Sequence, residues 1–320
     1  MDSIRHNWTT EEAYELLTQP LDVLCQQAKE IHQEFGDLNV QKCELLSIKT
    51  GGCPEDCGYC SQSAHFKTNV KAEPLMDVAP VLETAKRAKE EGAERFCMGA
   101  AWRGAPSGRQ FENLLEMIRG VAALDMEVCC TFGTASEDQL KQMGEAGLTA
   151  YNHNLDSGRE FYNKVVSTRS YDERLETVRA ARRAGVQVCC GGILGLGEEV
   201  KDRAALLAEL ARFEPHPESV PVNLLVPVEG TPLENAEPVP FEEFLRMVAA
   251  ARIMMPKSRV RLSAGRNTLT DAQQMQCFEV GANSIFVGEK LLTAPNVPWE
   301  NDKNLYAKLV QEQSTVAPQA

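Results

Sequence analysis

Cys53, Cys57 and Cys60 lie in the run GGCPEDCGYCSQS, spaced C-x3-C-x2-C, with Tyr59 just before the last sulfur. Three thiolates are one ligand short of a closed tetrahedral zinc site. A cubane 4Fe–4S cluster held by three thiolates keeps one iron free for a small molecule. A zinc knuckle with its fourth ligand elsewhere is the competing reading. Three cysteines inside eight residues, in a chain with 11 in all, argue against accident.

Such a loop needs a scaffold, and the chain supplies alternating elements. Residues 10–35 read as one or two amphipathic helices. Apolar runs at 43–49, 94–99, 126–132, 150–155, 186–192, 220–226, 259–263 and 283–287 read as strands. Helical patterns such as FENLLEMIRGVAAL and YDERLETVRAARRAG separate them. Gly92, Gly147, Gly185 and Gly281 fall where left-handed C-caps belong, and Ser136 and Asp172 are expected N-caps. Eight strands separated by helices in 320 residues predict an α/β fold, a (β/α)8 TIM-type barrel with an N-terminal helical extension. A doubly wound open sheet is the alternative. The chain is expected to be one domain over 1–320: helices to about 40, barrel from about 41 to 290, and a C-terminal extension from about 291 to 320 with at most a closing helix. QSTVAPQA at the end is expected to fray.

Strand parity unites the scattered polar residues. Side chains alternate between faces. Phe96 and Met98 oppose Arg95 and Cys97; Met126 and Val128 oppose Glu127, Cys129 and Thr131; Val186 and Val188 oppose Gln187 and Cys189; Val260 and Leu262 oppose Arg259, Arg261 and Ser263. If the apolar face packs on helices, the lumen holds Cys97, Cys129, Cys189, Arg261, Arg95, Asn152, Asn154, Asp156 and Asn223. A lumen normally filled by branched apolar side chains would instead be polar, which suggests an occupant. Cys130 and Cys190 then face outward, and His153 also has outward parity. Ordinary buried thiols are the plain alternative for any single cysteine.

Composition narrows the class. Formal charge is 33 − 46 = −13, unfavourable for nucleic acid or an anionic membrane surface. No run of 18 apolar residues and no apolar leader is present, which points to the cytoplasm and reduced thiols. GLGEEV lacks the third glycine of a dinucleotide-binding turn.

The runs SIKTGGCPEDCGYC, RFCMGAAWRG, YNHNLD, GGILGLGE, SVPVNLL, ARIMMP and VRLSAGR, in this order, resemble the biotin synthase family of radical S-adenosylmethionine enzymes. That resemblance implies a 4Fe–4S cluster on Cys53, Cys57 and Cys60, whose free iron chelates the methionine end of S-adenosylmethionine. It implies a 2Fe–2S cluster on Cys97, Cys129, Cys189 and Arg261, with Arg95 and Ser284 around the arginine. Cys43 stands where the family often has serine, and its inward parity makes it an alternative ligand. The resemblance assigns Tyr59, Ala100, Asn154, Asp156, Arg174 and Ile193 to S-adenosylmethionine, and Asn152, Asn154 and Asn223 to the ureido ring of dethiobiotin. Strand-end capping is the other role open to the asparagines.

The implied reaction is the last step of biotin biosynthesis. A 5′-deoxyadenosyl radical removes hydrogen at two carbons of dethiobiotin, and sulfur comes from the 2Fe–2S cluster. A flavodoxin-type electron donor, the iron–sulfur assembly machinery and a homodimer are implied with it. A mutase or maturation enzyme on the same barrel, without sulfur insertion, is the alternative within the superfamily. A zinc- or cluster-bearing binding module without turnover is the alternative outside it. Cys25 and Cys277 are read as buried thiols or helix-face residues.

Overall fold

The protein is described by a computed structural model covering residues 4–316, with side chains through 309. Two helices, α1 (Thr10–Thr18) and α2 (Leu21–Phe35), precede β1 (Gln41–Lys49). Then come α3 (Val78–Glu90), β2 (Arg95–Ala100), α4 (Arg109–Ala122), β3 (Glu127–Thr131), α5 (Glu137–Glu145), β4 (Ala150–Asn152), α6 (Arg159–Tyr162), α7 (Tyr171–Arg183), β5 (Gln187–Cys189) and β6 (Gly192–Leu194). The chain continues with α8 (Val200–Ala211), β7 (Ser219–Leu224), α9 (Phe241–Met254), β8 (Arg259–Leu262), α10 (Asp271–Glu279), β9 (Ser284–Val287) and α11 (Trp299–Val316). All pairings between named strands are parallel, and β9 returns to β1, so the sheet closes into the expected barrel. α1 packs on α8 and α2 on α9, outside the wall.

One expected strand is two. The run 186–192 breaks after Cys189 into β5 and β6, which together make one stave: β5 pairs with β4 and touches β7, and β6 pairs with β7. The break sits opposite Pro221 of β7, which has no N–H for the ladder. A Cβ on Gly191 would lie 2.0 Å from the Pro221 carbonyl oxygen, so only glycine passes there.

Helix signals are local. α4 buries Phe111, Leu114, Leu115, Ile118 and Val121, the three-and-four spacing of one apolar face. Ser136 caps α5 as expected, in a reciprocal box with Gln139. Asp172 does not cap α7. Ser170 does, because its hydroxyl takes the Glu173 N–H while the Glu173 carboxylate takes the Ser170 N–H; Asp172 pairs with Arg159 at 2.7 Å instead. Gly92, Gly147, Gly185 and Gly281 all have positive φ at helix ends. α11 runs through Val316, into the stretch expected to fray, and 317–320 lie outside the described residues.

Burial follows parity. Phe96, Met98, Val128, Cys130, Val188, Cys190, Val260 and Leu262 belong to the core between barrel and helices. Cys43, Cys97, Cys129, Ala150 and Cys189 form a separate cluster in the lumen. The N-terminal end of the barrel is closed by polar groups: Arg95 pairs with Glu127 at 2.7 Å and donates to Ser219 at 2.9 Å, and Gln41 donates to Glu127 at 2.7 Å.

Candidate active site

The loop after β1 carries Cys53, Cys57 and Cys60. Gly51 and Gly52, at φ 68° and 65°, turn the chain back over the barrel mouth. Backbone bonds then pin the loop: Cys53 N–H donates to Gln62, Cys60 N–H to Cys57, and Gly58 N–H to Val165, each at 2.9 Å. Glu55, 5% exposed at its side chain, ties the loop to the barrel through Arg103 at 2.5 Å and Arg169 at 3.4 Å. Glu55 carried no sequence signal as an anchor, because its partners are 48 and 114 residues away. Cys57 is buried, and Cys53 and Cys60 are half-buried. Burial pushes the Cys57 thiol up to about 12 and that of Cys60 to about 11.

Below this loop lies a polar layer. The Tyr59 hydroxyl donates to Asp156 at 2.8 Å, and Asp156 pairs with Arg174 at 2.8 Å, both nearly fully buried. Arg174 also donates to the Tyr162 hydroxyl at 2.6 Å and the Asn154 carbonyl at 2.8 Å, and reaches Cys57 Sγ at 3.8 Å. Asp156 has φ 67°, a conformation costly for a residue with a side chain and held here by the Ile193 N–H donating to its carbonyl at 2.8 Å. Asn152 donates to Asn154 Oδ1 at 3.2 Å and to Cys189 Sγ at 3.2 Å, linking the layers. Asn223 donates to Gly192 and accepts from Ala264 N–H.

Deeper still, the thiols of Cys43, Cys97, Cys129 and Cys189 cluster against one another. Arg261, 1% exposed, donates to Ser284 at 2.9 Å, faces Cys189 Sγ at 3.7 Å and lies over the Phe286 ring at 5.0 Å. Cys129 is held well below the ordinary thiol range by hydrogen bonds from Cys189 and Cys97 and by Arg95 and Arg261. The bond to Cys129 pushes Cys97 and Cys189 up in turn. Burial would raise Cys43, but its bond to Cys97 and the two guanidinium charges bring it to about 6.

One cavity of about 370 Å³ joins all three layers. Its wall includes Cys53, Cys57, Cys60, Tyr59, Ala100, Asn152, Asn154, Asp156, Arg174, Ile193, Asn223, Cys97, Cys129, Cys189 and Arg261. The residues expected to hold the two clusters, S-adenosylmethionine and the ureido ring therefore share one surface, while Cys43, Arg95 and Ser284, also expected in the lumen, are buried outside that wall. His153 also borders the cavity, one residue past the end of β4 at Asn152. Its Nε2 is buried without a partner. Leu291–Ala294, given no role from sequence, cover the cavity too; Thr293 meets Ser61 at 2.9 Å. Sequence parity missed them because they belong to no strand.

The donor set is one of soft thiols, the ligand type of iron–sulfur groups. Among the described residues no three His, Cys, Asp or Glu side chains converge on a single-ion position. Zinc would need ligands at about 2.0–2.3 Å from one point. Soft thiols spread along a wall suit multi-iron groups.

Comparison with known proteins then decides the family. The model of the radical SAM superfamily matches residues 47–211, and that of the Biotin and Thiamin Synthesis associated domain matches 221–310. A biotin synthase from Sorangium cellulosum is 54% identical over 95% of this chain and 87% of its own length. One from Schizosaccharomyces pombe is 53% identical over 95% and 85%. The chain belongs to the biotin synthase family. The two family segments meet in the barrel: the second contributes most of β7, then β8, β9 and the Leu291–Ala294 cover. Methylornithine synthase (TM-score 0.79, 19% identity, 95% of this chain and 93% of that one) shares the fold, as does the FeFe-hydrogenase maturase from Carboxydothermus hydrogenoformans (0.79, 19%, 94% and 75%). Likeness at that identity concerns the barrel alone.

Proposed function

We propose that this chain is a sulfurtransferase that converts dethiobiotin to biotin. The observation that carries the reading is the single cavity on which a three-cysteine loop and a second cysteine–arginine set both open. The superfamily works with S-adenosylmethionine and iron–sulfur chemistry. Cys53, Cys57 and Cys60 would hold a 4Fe–4S cluster, and Cys97, Cys129, Cys189 and Arg261 a 2Fe–2S cluster. When bound, these groups and S-adenosylmethionine supply a 5′-deoxyadenosyl radical, hydrogen removal at two carbons and the inserted sulfur.

The chain's own residues bind, orient and exclude water. Tyr59, Ala100, Asn154, Asp156, Arg174 and Ile193 form the S-adenosylmethionine wall. The Asp156–Arg174 pair gives that wall a carboxylate for hydroxyls and a guanidinium for an anion. Asn152, Asn154 and Asn223 present amides to the ureido ring, which needs both donors and acceptors. Their present bonds to backbone must be exchanged for substrate, so capping and binding are successive uses of one amide. Leu45, Phe286 and Leu292 line the rest and keep water from a carbon radical. Arg261 and Arg95 bring two buried cations to a thiol-rich lumen and offset thiolate charge there.

The same reading takes 1–320 as one functional unit, with a flavodoxin-type electron donor, the iron–sulfur assembly machinery, a homodimer and a cytoplasmic location. Among the described residues no helix is long and apolar enough to cross a membrane. The test is an anaerobic single turnover with dethiobiotin, S-adenosylmethionine and reduced flavodoxin, read by mass spectrometry. Biotin with 5′-deoxyadenosine is expected. 5′-Deoxyadenosine without biotin would move the chain to the mutase or maturation reading.

A further inference from the structure

Cys43 is a fourth thiol in the lumen, and the reaction as assigned above does not use it. It is fully buried, on the inward face of β1. It clusters with Cys97, Cys129 and Cys189 and not with the apolar core outside the barrel. Its polar neighbours are those of Arg261. Ser284 Oγ lies 3.6 Å from Cys43 Sγ and accepts from Arg261 Nε at 2.9 Å. Gln41 Oε1 accepts from Cys43 at 3.4 Å and from Arg261 Nη2 at 3.4 Å. Closure of the barrel makes this corner: Gln41 of β1 pairs with Ser284 of β9, and Ser284 with Arg261 of β8. Beside the apolar Leu45 and Phe286 that pack on its cluster, Cys43 also has a hydroxyl, an amide and the guanidinium they hold as near neighbours, which a plain apolar filler does not need.

We propose that Cys43 is a reserve ligand of the inner cluster, a fourth thiolate that takes the iron position of Arg261 when the arginine is withdrawn. The inference rests on the inner-cluster assignment made under the proposed function. A thiolate is an ordinary iron ligand, whereas a guanidinium is a donor-only cation in nearly every protein setting. Cys43 stands at the Cys97 end of the thiol row and Arg261 at the Cys189 end, and the shared partners Ser284 and Gln41 bridge them.

The test uses the full chain, reconstituted anaerobically with iron and sulfide, as wild type, Arg261→Ala, and Arg261→Ala combined with Cys43→Ser or with Cys43→Ala. Readouts are iron and sulfide per chain, the Mössbauer spectrum, and the rate at which a chelator bleaches the inner-cluster absorption. Arg261→Ala is expected to keep the inner cluster, with both irons in like, all-thiolate environments. Either double variant is expected to lose it to chelator about tenfold faster, the scale on which supporting groups change metal affinity. The two replacements at position 43 separate loss of the thiol from ligation by serine or from a packing defect. Equal bleaching rates and equal spectra for Arg261→Ala and both double variants would overturn the proposal. Wild type carrying outer-cluster iron alone would overturn the inner-cluster assignment, and this inference with it.

Discussion

Cys53, Cys57 and Cys60 stand on one loop and depend on its backbone, whereas Cys97, Cys129 and Cys189 stand on three strands and depend on the closed sheet. Two of the loop thiols, Cys53 and Cys60, are half-buried, and Cys57 meets the Arg174 guanidinium at 3.8 Å. The strand thiols are sealed in, clustered together and flanked by Arg95 and Arg261. A loop can be ordered or lost by a few local contacts. A strand position moves only if neighbouring staves move with it. The two sets therefore differ in robustness: the outer one is exchangeable, the inner one is built into the fold.

The largest expected effect tests whether the sets have separate roles. Cys53→Ala should abolish cleavage of S-adenosylmethionine. Cys189→Ala should spare part of that cleavage while biotin disappears from the product spectrum. Equal loss of both in Cys189→Ala, with the outer cluster intact by iron count, would merge the two sets into one.

Next comes the loop's anchor. Glu55→Ala leaves Arg169 buried without its carboxylate, and breaking a buried pair costs about 3–5 kcal/mol. Thermal unfolding should show that loss, and the outer cluster should bleach faster while the inner one holds. If the inner cluster bleached first, the contrast between an exchangeable loop and a fixed barrel would be wrong.

Smaller effects are expected from the adjacent cysteines. Cys130→Ala and Cys190→Ala should cost about 1 kcal/mol each, an ordinary core truncation, and keep both clusters. Cys129→Ala should lose the inner one. Loss of the inner cluster in Cys130→Ala with retention in Cys129→Ala would reverse the parity of β3.

A last effect, on stability and not on the clusters, lies outside both sets. Burial holds His216 and His32 down near pH 4 in the folded chain. Between pH 4 and about 6.5 the unfolded chain binds protons that the folded chain refuses, so stability should rise with pH across that window. His216→Gln should flatten the slope in denaturant titrations. An unchanged slope would mean that the proton uptake belongs to other groups.

Much of this was open to reading from the chain. The loop motif needs eight neighbouring residues, and local geometry carries it. The barrel's eight staves and the inward parity of Cys97, Cys129, Cys189 and Arg261 follow from alternation within each strand. The signal failed where alternation stops. The fifth stave splits at Gly191 beside Pro221, and Leu291–Ala294 cover the mouth from outside any strand. Asp172 lost the cap of α7 to Ser170, since a reciprocal box with Glu173 satisfies two N–H groups where Asp172 would satisfy one.

The sequence by itself determined which residues face which way along each element, because helix and strand periods are properties of neighbours in the chain. Only the tertiary structure decided which of those faces meet. Barrel closure sets the register of β1 against β9 and of β9 against β8. That register puts Cys43 and Arg261 on the same two polar partners and opens both cysteine sets onto one cavity. The contacts of β1, Cys43 with Ser284 and Gln41 with Arg261, join residues 241 and 220 positions apart, and no local periodicity encodes them.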